Sequence, residues 1–328
     1  MSPDVIAIIE AIYRIESEPE AWLTDIVRAA LPLMDEGFGL SAGMYDAAGP
    51  SLAVEAFVSV GTPPGSSDKI AATSYDFTPE FVDAGFLGHV CETASRVAGW
   101  RDLAFVREGT LVPFGIRDRI GINGLSTDCS GTILGIHLPV ERGLSPAERR
   151  RYSMIAGHLG AAHRLRRRMQ RGIASTEAVV APSGRIEHAV GAAAARDALA
   201  QLSGAARAID RARSKAGRRN QEQALGEWTG MVAAQWTLVE EERDGRRHLL
   251  ARRNDPAAPG PEQLSERERQ VVSFAVLGHY DKLIAYELGV SYSTVRVLLH
   301  RARRKLRVGS RAELVDVGRT MLRELRPR

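Results

Sequence analysis

The side chains best suited to recognising a charged, patterned ligand lie in residues 281–300, which read DKLIAYELGVSYSTVRVLLH. If the second half of this stretch is a helix, its outward positions hold an arginine, a histidine and hydroxyl groups beside one aliphatic residue. These outward residues are Tyr292, Ser293, Arg296, Val297 and His300. A helix with such a surface can enter the major groove of duplex DNA, where side chains meet the edges of the bases. The stretch therefore implies DNA binding.

Two helices joined by a tight turn must position these side chains, and the spacing predicts them. Ala285 is small where the second helix would cross the first, and Gly289 suits a turn because a residue just past a helix end often takes a positive φ. Aliphatic residues occupy the positions that would join the helices, namely Ile284, Leu288, Val290, Val295 and Leu298. The pattern predicts a helix-turn-helix whose second, recognition helix spans residues 291–306.

The composition is that of a multidomain globular protein. The chain has 328 residues, of which 44% are hydrophobic and 26% charged, so two or three domains are expected. No apolar run approaches the roughly 20 residues of a membrane span, and the first 20 residues lack the basic region of a signal peptide. We therefore expect a cytoplasmic protein with no membrane partner.

No residue cluster in the sequence indicates catalysis or a metal. Cys91 and Cys129 are expected in the core, and His89 has no further ligand at a useful spacing. A nucleophile elbow, a phosphate loop and paired acids are all missing, as is the acidic pattern of a phosphorylated receiver domain. The sequence predicts a non-enzyme with no cofactor. An enzyme domain fused to a DNA-binding module remains an alternative, and the input signal is unidentified.

Positive charge is concentrated at the C-terminus. Residues 264–328 contain fourteen Lys and Arg against seven Asp and Glu, a balance of +7. The whole chain carries +4, so the other 263 residues carry −3. A basic module on a mildly acidic body is typical of a phosphate-binding domain attached to another function.

A proline-rich segment, NDPAAPGPE at residues 254–262, predicts a short linker before this module. The sequence Ser265-Glu266-Arg267-Glu268 follows it and predicts a capping box, in which a serine and a glutamate close the first turn of a helix. The module should therefore occupy residues 263–328.

Residues 1–171 predict an α+β domain with an antiparallel sheet. The expected elements are helices at 3–16, 19–35, 79–94 and 145–171, and strands at 39–46, 52–60, 119–127 and 132–140. This order resembles a GAF-type sensory domain. The apolar stripe Ile155, Leu159, Ala162, Leu165 and Met169 on the last helix either packs on its own domain or lines a dimer seam.

Residues 172–253 predict a smaller α+β unit. Strands are expected at 177–181, 185–189, 236–242 and 246–252, with helices at 192–213 and 221–234. Asp244-Gly245 is a strong hairpin-turn signal between the last two strands. The order resembles a reduced PAS-type fold, and a connector that only spaces its neighbours is the alternative.

The segment 264–315 resembles the LuxR/FixJ-type DNA-binding domain of bacterial transcription factors. The matching residues include Leu264-Ser265, Ile284-Ala285, Leu288-Gly289-Val290-Ser291, Thr294-Val295-Arg296, Lys305-Leu306 and Ser310-Arg311-Ala312-Glu313-Leu314. Two positions depart from the pattern, with Leu298 in place of a histidine and Tyr280 in place of a small capping residue. The resemblance implies an all-α four-helix domain, a homodimer on double-stranded DNA, RNA polymerase as a partner, and a small-molecule or protein effector upstream.

The resemblance also assigns roles to single residues. Arg296, Val297 and His300 would contact bases, which suits a guanine-binding arginine and a valine beside a thymine methyl. The residues implied at DNA phosphates are Lys282, Ser293, Thr294, Arg301, Arg304 and Lys305. Arg301 fits a solvated role equally well, and Ser291 should cap the recognition helix rather than touch DNA.

A sigma factor's promoter-reading region is the alternative within DNA binding, because STVRVLLHRARRKLR resembles it too. Against it, Ser310–Leu325 predicts a fourth helix with its own capping box from Ser310 and Glu313. Val315 and Leu322 on this helix are the expected dimer contacts.

Overall fold

The computed structural model of the chain describes residues 4–49, 51–258 and 260–324, with side chains described as far as residue 318. Within these ranges, no helix is both long and apolar enough to cross a membrane. Helices and two antiparallel sheets alternate as far as residue 253, and four helices follow.

The N-terminal part is an antiparallel sheet packed against helices, in agreement with the α+β class expected for it. Its first elements are α1 (Val5–Ile12), α2 (Pro19–Met34), β1 (Leu40–Asp46) and β2 (Ala53–Val60). Three further strands complete the sheet, namely β3 (Cys91–Thr93), β4 (Asp118–Leu125) and β5 (Ser130–Leu138). The strand order is β2-β1-β5-β4-β3.

Short elements cover one face of this sheet. They include α3 (Ser67–Ala72), α4 (Pro79–Phe81), a π turn (Val82–Phe86) and α5 (Ala104–Arg107), and their apolar side chains form a core with Tyr45. The single helix predicted for residues 79–94 is wrong beyond Phe86, because Cys91–Thr93 pairs with β4 as a strand. Gly85 and Gly88 favour this break, since glycine is a poor helix former.

The long helix α6 (Pro146–Gln170) packs on the opposite face of the sheet. It begins at the predicted capping box of Ser145 and Glu148. The apolar stripe predicted on it is buried within the chain at Ile155, Leu159, Ala162 and Leu165, and partly buried at Met169. The dimer seam considered for this stripe is therefore wrong, because its own sheet and α1 already cover it.

The middle unit has a second antiparallel sheet of four strands in the order β7-β6-β9-β8. Its elements are β6 (Thr176–Val180), β7 (Ile186–Ala189), α7 (Arg196–Arg213), α8 (Lys215–Arg219), α9 (Gln221–Glu227), β8 (Trp236–Arg243) and β9 (Arg246–Arg253). The predicted turn is confirmed, with φ of 51° at Asp244 and 69° at Gly245. The helix predicted to reach Ala234 ends instead at Glu227, before Gly230.

The predicted linker has no helix or strand at residues 254–258, but it is anchored to the body. Asn254 is 0% exposed, and its Nδ2 donates at 2.8 Å to both the Ala161 carbonyl and Thr237 Oγ1. The Thr127 hydroxyl donates to the Ala257 carbonyl. Because these partners belong to α6 and β8 or lie beside β4, the segment is a strap along the body rather than a loose tether.

The C-terminal part is all-α, as predicted. Its helices are α10 (Glu266–Val276), α11 (Asp281–Leu288), α12 (Tyr292–Leu306) and α13 (Arg311–Glu324). They form a core of their own, to which Ala234 is the single contributor from outside residues 264–314 within the described chain. Because almost all of this core comes from the four helices themselves, we expect them to fold without the rest of the chain.

Candidate nucleic-acid interface

The helix-turn-helix has the geometry that its sequence predicts. Gly289 ends α11 at φ 59° and ψ 39°, the left-handed conformation that favours glycine. Ile284, Leu288 and Val295 are buried between the helices. Val290 and Leu298, also predicted for the core, are only partly buried, and Leu299 fills the position in the core instead.

The recognition helix α12 begins with a side-chain cap. Ser291 Oγ accepts the amide hydrogen of Thr294 at 3.0 Å, which confirms the capping role predicted for this serine. Three cationic residues, Arg303, Arg304 and Lys305, lie in its last turn, where positive charge stabilises a helix end. The helix is thus fixed at both ends by its own residues.

The three predicted base contacts lie together on one exposed face. Arg296, Val297 and His300 are at helical positions i, i+1 and i+4, so their side chains share one side of α12. Val297 is 48% exposed although it is aliphatic, and the Arg296 guanidinium lies 5.9 Å from the ring centre of Tyr292. This face combines a bidentate donor, a heteroaromatic ring and an apolar contact.

Most of the predicted phosphate contacts flank this face and are exposed. These are Lys282, Ser293, Thr294, Arg301 and Arg304. Lys305 differs, because its Nζ lies 2.6 Å from Oε2 of Glu268, which is 3% exposed. Burial opposes the charge of Glu268, but hydrogen bonds from Lys305 and Ser265 outweigh burial and keep the pKa of this carboxyl low. Lys305 therefore neutralises a buried carboxylate in this structure.

One side of helix α11 docks on the upstream units, a contact that the sequence does not predict. The Tyr286 hydroxyl lies 2.8 Å and 2.9 Å from the carbonyl oxygens of Leu225 and Trp228. It also lies 2.7 Å from Nε2 of His158 on α6. Burial lowers the pKa of His158 to about 3, so this imidazole is neutral.

Glu287 lies at the centre of the same contact and is 4% exposed. Its side chain packs on Gly157 of α6, where an added Cβ would stand 2.9 Å from Cγ of Glu287. Burial raises the pKa of Glu287 to about 8, against the opposing charge of Arg164. His279, 3.7 Å away, stays neutral because burial lowers its pKa to about 3. A protonated carboxyl next to a neutral imidazole is the consistent state of this pair.

The turn of the motif is also held by the middle unit. The Ala234 amide donates to the Leu288 carbonyl at 2.5 Å, and Arg267 donates to the Ala234 carbonyl at 3.0 Å. A Cβ at Gly289 would overlap the Met231 carbonyl oxygen. Glycine is thus required here both for the turn and for the close approach of the upstream chain.

A cleft separates part of the candidate interface from the middle unit. Lys282, Ser291 and Thr294 line it on one side, and Gln201, Gly204 and Ala205 line it on the side of α7. The cleft has a volume of about 890 Å³. Two of the predicted phosphate contacts therefore face another part of the same chain. No group of three or more His, Cys, Asp or Glu residues placed to hold a metal occurs in the described parts of the chain.

Comparison with known proteins identifies the C-terminal helices. Residues 262–317 match the family described as bacterial regulatory proteins, luxR family. The same region is 45% identical over 56 residues to the response regulator protein TodT of Pseudomonas putida, which is 17% of this chain and 25% of that protein. The response regulator protein TmoT of Ectopseudomonas mendocina is 43% identical over 56 residues, 17% of this chain and 26% of that protein. The chain thus matches about a quarter of the length of these relatives, and residues 262–317 form a LuxR-family helix-turn-helix.

Proposed function

We propose that the protein is a sequence-specific DNA-binding regulator of transcription. The observation that carries the proposal is the exposed face of Arg296, Val297 and His300 on a LuxR-family helix-turn-helix. In the proposed complex α12 lies in the major groove, and Arg296 donates two hydrogen bonds to a guanine. Val297 meets a thymine methyl, and His300 contacts the next base edge. The proposal gives the chain no enzymatic activity.

Residues around this face would hold the DNA backbone. The proposed phosphate contacts are Lys282, Ser293, Thr294, Arg301, Arg304 and Lys305. Lys305 can act in this way only if it leaves Glu268 or is shared with it, because its ammonium already lies 2.6 Å from that carboxylate. We therefore rank it below Arg301 and Arg304 as a source of affinity.

Salt dependence tests the proposal directly. Four candidate phosphate contacts are cationic, and each releases counterions on binding. Affinity should therefore fall roughly 10²-fold per module between 50 and 200 mM salt. Fragment 262–328 and the full chain would be titrated against a pool of genomic duplexes by mobility shift. No shift by the fragment at low salt would contradict DNA binding.

We further propose that the docked arrangement restrains DNA binding. A duplex placed on the Arg296 face would bring its backbone to Lys282 and Thr294, where α7 lies across the cleft. An input to the upstream units would then act by releasing α11 from α6. The first unit, residues 1–171, would be a GAF-like sensory domain, and residues 172–253 a PAS-like unit or a connector.

Glu287 should make this restraint depend on pH. Its pKa is about 8 when docked and returns toward 4.5 when the carboxyl meets water, so the docked state holds the extra proton. Between about pH 6.5 and 8 docking therefore weakens as pH rises, because the released carboxyl has already lost the proton that the docked one keeps. Between pH 6.5 and 8 we expect the DNA affinity of the full chain to rise relative to that of fragment 262–328, measured by fluorescence anisotropy.

The Glu287→Gln variant is the matched control, because glutamine has the shape of the protonated acid without its titration. Its ratio of full-chain to fragment affinity should be flat with pH. An identical slope in the wild type and in Glu287→Gln would show that another group is responsible. His158 and His279 do not reverse this trend, because burial lowers the pKa of each to about 3 in the docked chain and the window begins at the ordinary imidazole pKa of 6.5.

We also propose that the protein is a cytoplasmic homodimer on DNA with RNA polymerase as a partner. One helix-turn-helix reads few base pairs, so such modules usually bind as pairs on half-sites about one helical turn apart. Val315, predicted at the dimer contact, is half-buried in the single chain, and the side chain of Leu322 lies outside the described residues. The sigma-factor alternative gains no support, since α13 follows α12 and its cap is formed by Ser310 and Glu313.

A further inference from the structure

A cavity lies over the face of the N-terminal sheet that the short helices cover. Its floor is a row of small residues across adjacent strands, in which Ser41 pairs with Gly135 and Gly135 pairs with Gly121. Larger side chains would normally fill the space directly above these strands, because protein interiors are close-packed. The missing side chains leave about 100 Å³ of space.

Aromatic rings form the roof of this cavity. Phe77 lies 5.0 Å from Phe81 and 5.4 Å from Phe86 between ring centres, and all three line the cavity together with Trp100. The lining is largely apolar. A dry apolar cavity of this order holds a small ring, since one of about 150 Å³ takes benzene. The cavity therefore suits a compact apolar body of about one ring.

One cationic side chain reaches the cavity without an anionic partner. The Arg119 guanidinium lies 5.1 Å from the ring centre of Phe105 and 5.6 Å from that of Trp100, and it donates to Thr73 Oγ1 at 3.1 Å. Among the described residues, no carboxylate lies within ion-pair distance of it. Burial lowers the pKa of Arg119 to about 10, which leaves it charged at neutral pH. A partly desolvated arginine with free donors is a site for an anion.

His137 is a second polar side chain at this end of the sheet, next to Arg119. It pairs directly with Arg119 across β4 and β5, so both side chains lie on the same face as Gly135. It is fully buried, and neither ring nitrogen has a hydrogen-bond partner within the described chain. Buried polar groups are rarely left unpaired in folded proteins. The acidic residue of the lining, Glu92, is already paired with Arg149 at 2.9 Å.

We propose that this cavity is a binding site for a small carboxylate with an apolar body of about one ring. The ring lies on Gly121 and Gly135 beneath the phenylalanines, and the carboxylate binds the Arg119 guanidinium. No other function of the chain is needed for this inference, which would stand if the protein bound no DNA.

The roof of the site touches the DNA-binding module. Leu277, the residue that ends α10, packs in the same core as Phe81 and Phe86. A Cβ at Gly278 would overlap the carbonyl oxygen of Gly88, which follows the π turn of the roof. Occupancy of the cavity should thus change the packing of residues 277–278, and residue 278 lies three residues before α11 begins. Its effect on DNA binding rests on the proposed function and is measured separately.

Calorimetric titration of the full chain with benzoate tests the site, and neutral benzamide serves as the matched ligand. Benzoate should bind about tenfold or more tightly than benzamide, because the hydrogen bonds from Arg119 to a carboxylate are stronger than those to a neutral amide. Arg119→Gln should remove this preference and leave benzamide binding in place. Gly121→Val should abolish binding of both ligands, since its side chain would fill the cavity and the atom nearest to its Cβ is the flexible end of Ile133, at 3.3 Å.

The control variant is Gly204→Ala on α7, where an added Cβ meets nothing within 4 Å, and it should bind like the wild type. Benzoate should also alter hydrogen exchange at residues 81–89 and 275–289 of the full chain. Absence of benzoate binding at millimolar concentration would overturn the proposal. Equal binding by the wild type and a correctly folded Gly121→Val, verified by circular dichroism, would overturn it too.

Discussion

A leucine at Gly157 should raise the affinity of the full chain for DNA roughly 10- to 100-fold. The three atoms nearest to a Cβ at this position all belong to Glu287, and the first of them stands 2.9 Å away. The larger side chain therefore acts as a wedge between α6 and α11. If only a few per cent of the wild-type molecules are undocked, releasing the rest raises the apparent affinity by a factor equal to the inverse of that fraction.

This experiment leaves the DNA-binding module unchanged, because Gly157 lies on α6. Affinity would be measured by anisotropy, with fragment 262–328 as the upper limit and Gln170→Leu, at an exposed position at the end of the same helix, as the control. A Gly157→Leu chain that is folded and undocked by hydrogen exchange, yet binds DNA like the wild type, would show that docking does not restrain binding.

The second large effect is expected at Arg296. Replacing it by alanine should cost about 1–3 kcal/mol at the cognate site and relax the preference at one base pair. The reason is its position on the exposed face, where its guanidinium can donate two hydrogen bonds to one guanine. Binding to a library of site variants, measured for wild type and mutant, gives both quantities.

Arg304→Ala is the matched control for this experiment, because it removes an exposed cation from the same helix. It should weaken binding to all sequences alike and flatten the salt dependence. Lys305→Ala would be a poor control, since it also strips Glu268, which is 3% exposed, of its ion-pair partner. Equal losses on cognate and random DNA with Arg296→Ala would contradict base readout by this residue.

The helix-turn-helix could be predicted from the sequence because its signals are local. Gly289 and the aliphatic residues around it lie within one 20-residue stretch, and each has its native role through neighbours three or four positions away. Ser291 as a cap and Asp244-Gly245 as a turn are predictable for the same reason. Short-range geometry was sufficient for these features.

The docking contact could not be predicted because its partners are distant in sequence. Tyr286 and Glu287 look like solvated polar residues on an amphipathic helix, and only the arrival of α6 and residues 225–228 buries them. The strand β3 was missed for a similar reason, since it is stabilised by pairing with β4 about 30 residues later. The ion pair of Lys305 could not be predicted either, because its partner Glu268 lies 37 residues earlier, on α10.

The anchored strap limits how far a released module can move. Asn254 stays fixed to α6 and β8 by its two hydrogen bonds, and ten residues then lead to Leu264. Fully extended, they span at most about 33–36 Å. Because this connection is short, the effective concentration of a released module at its docking surface is in the millimolar range. The proposed restraint would therefore be a property of each single chain, with a strength that does not depend on the concentration of the protein in the cell.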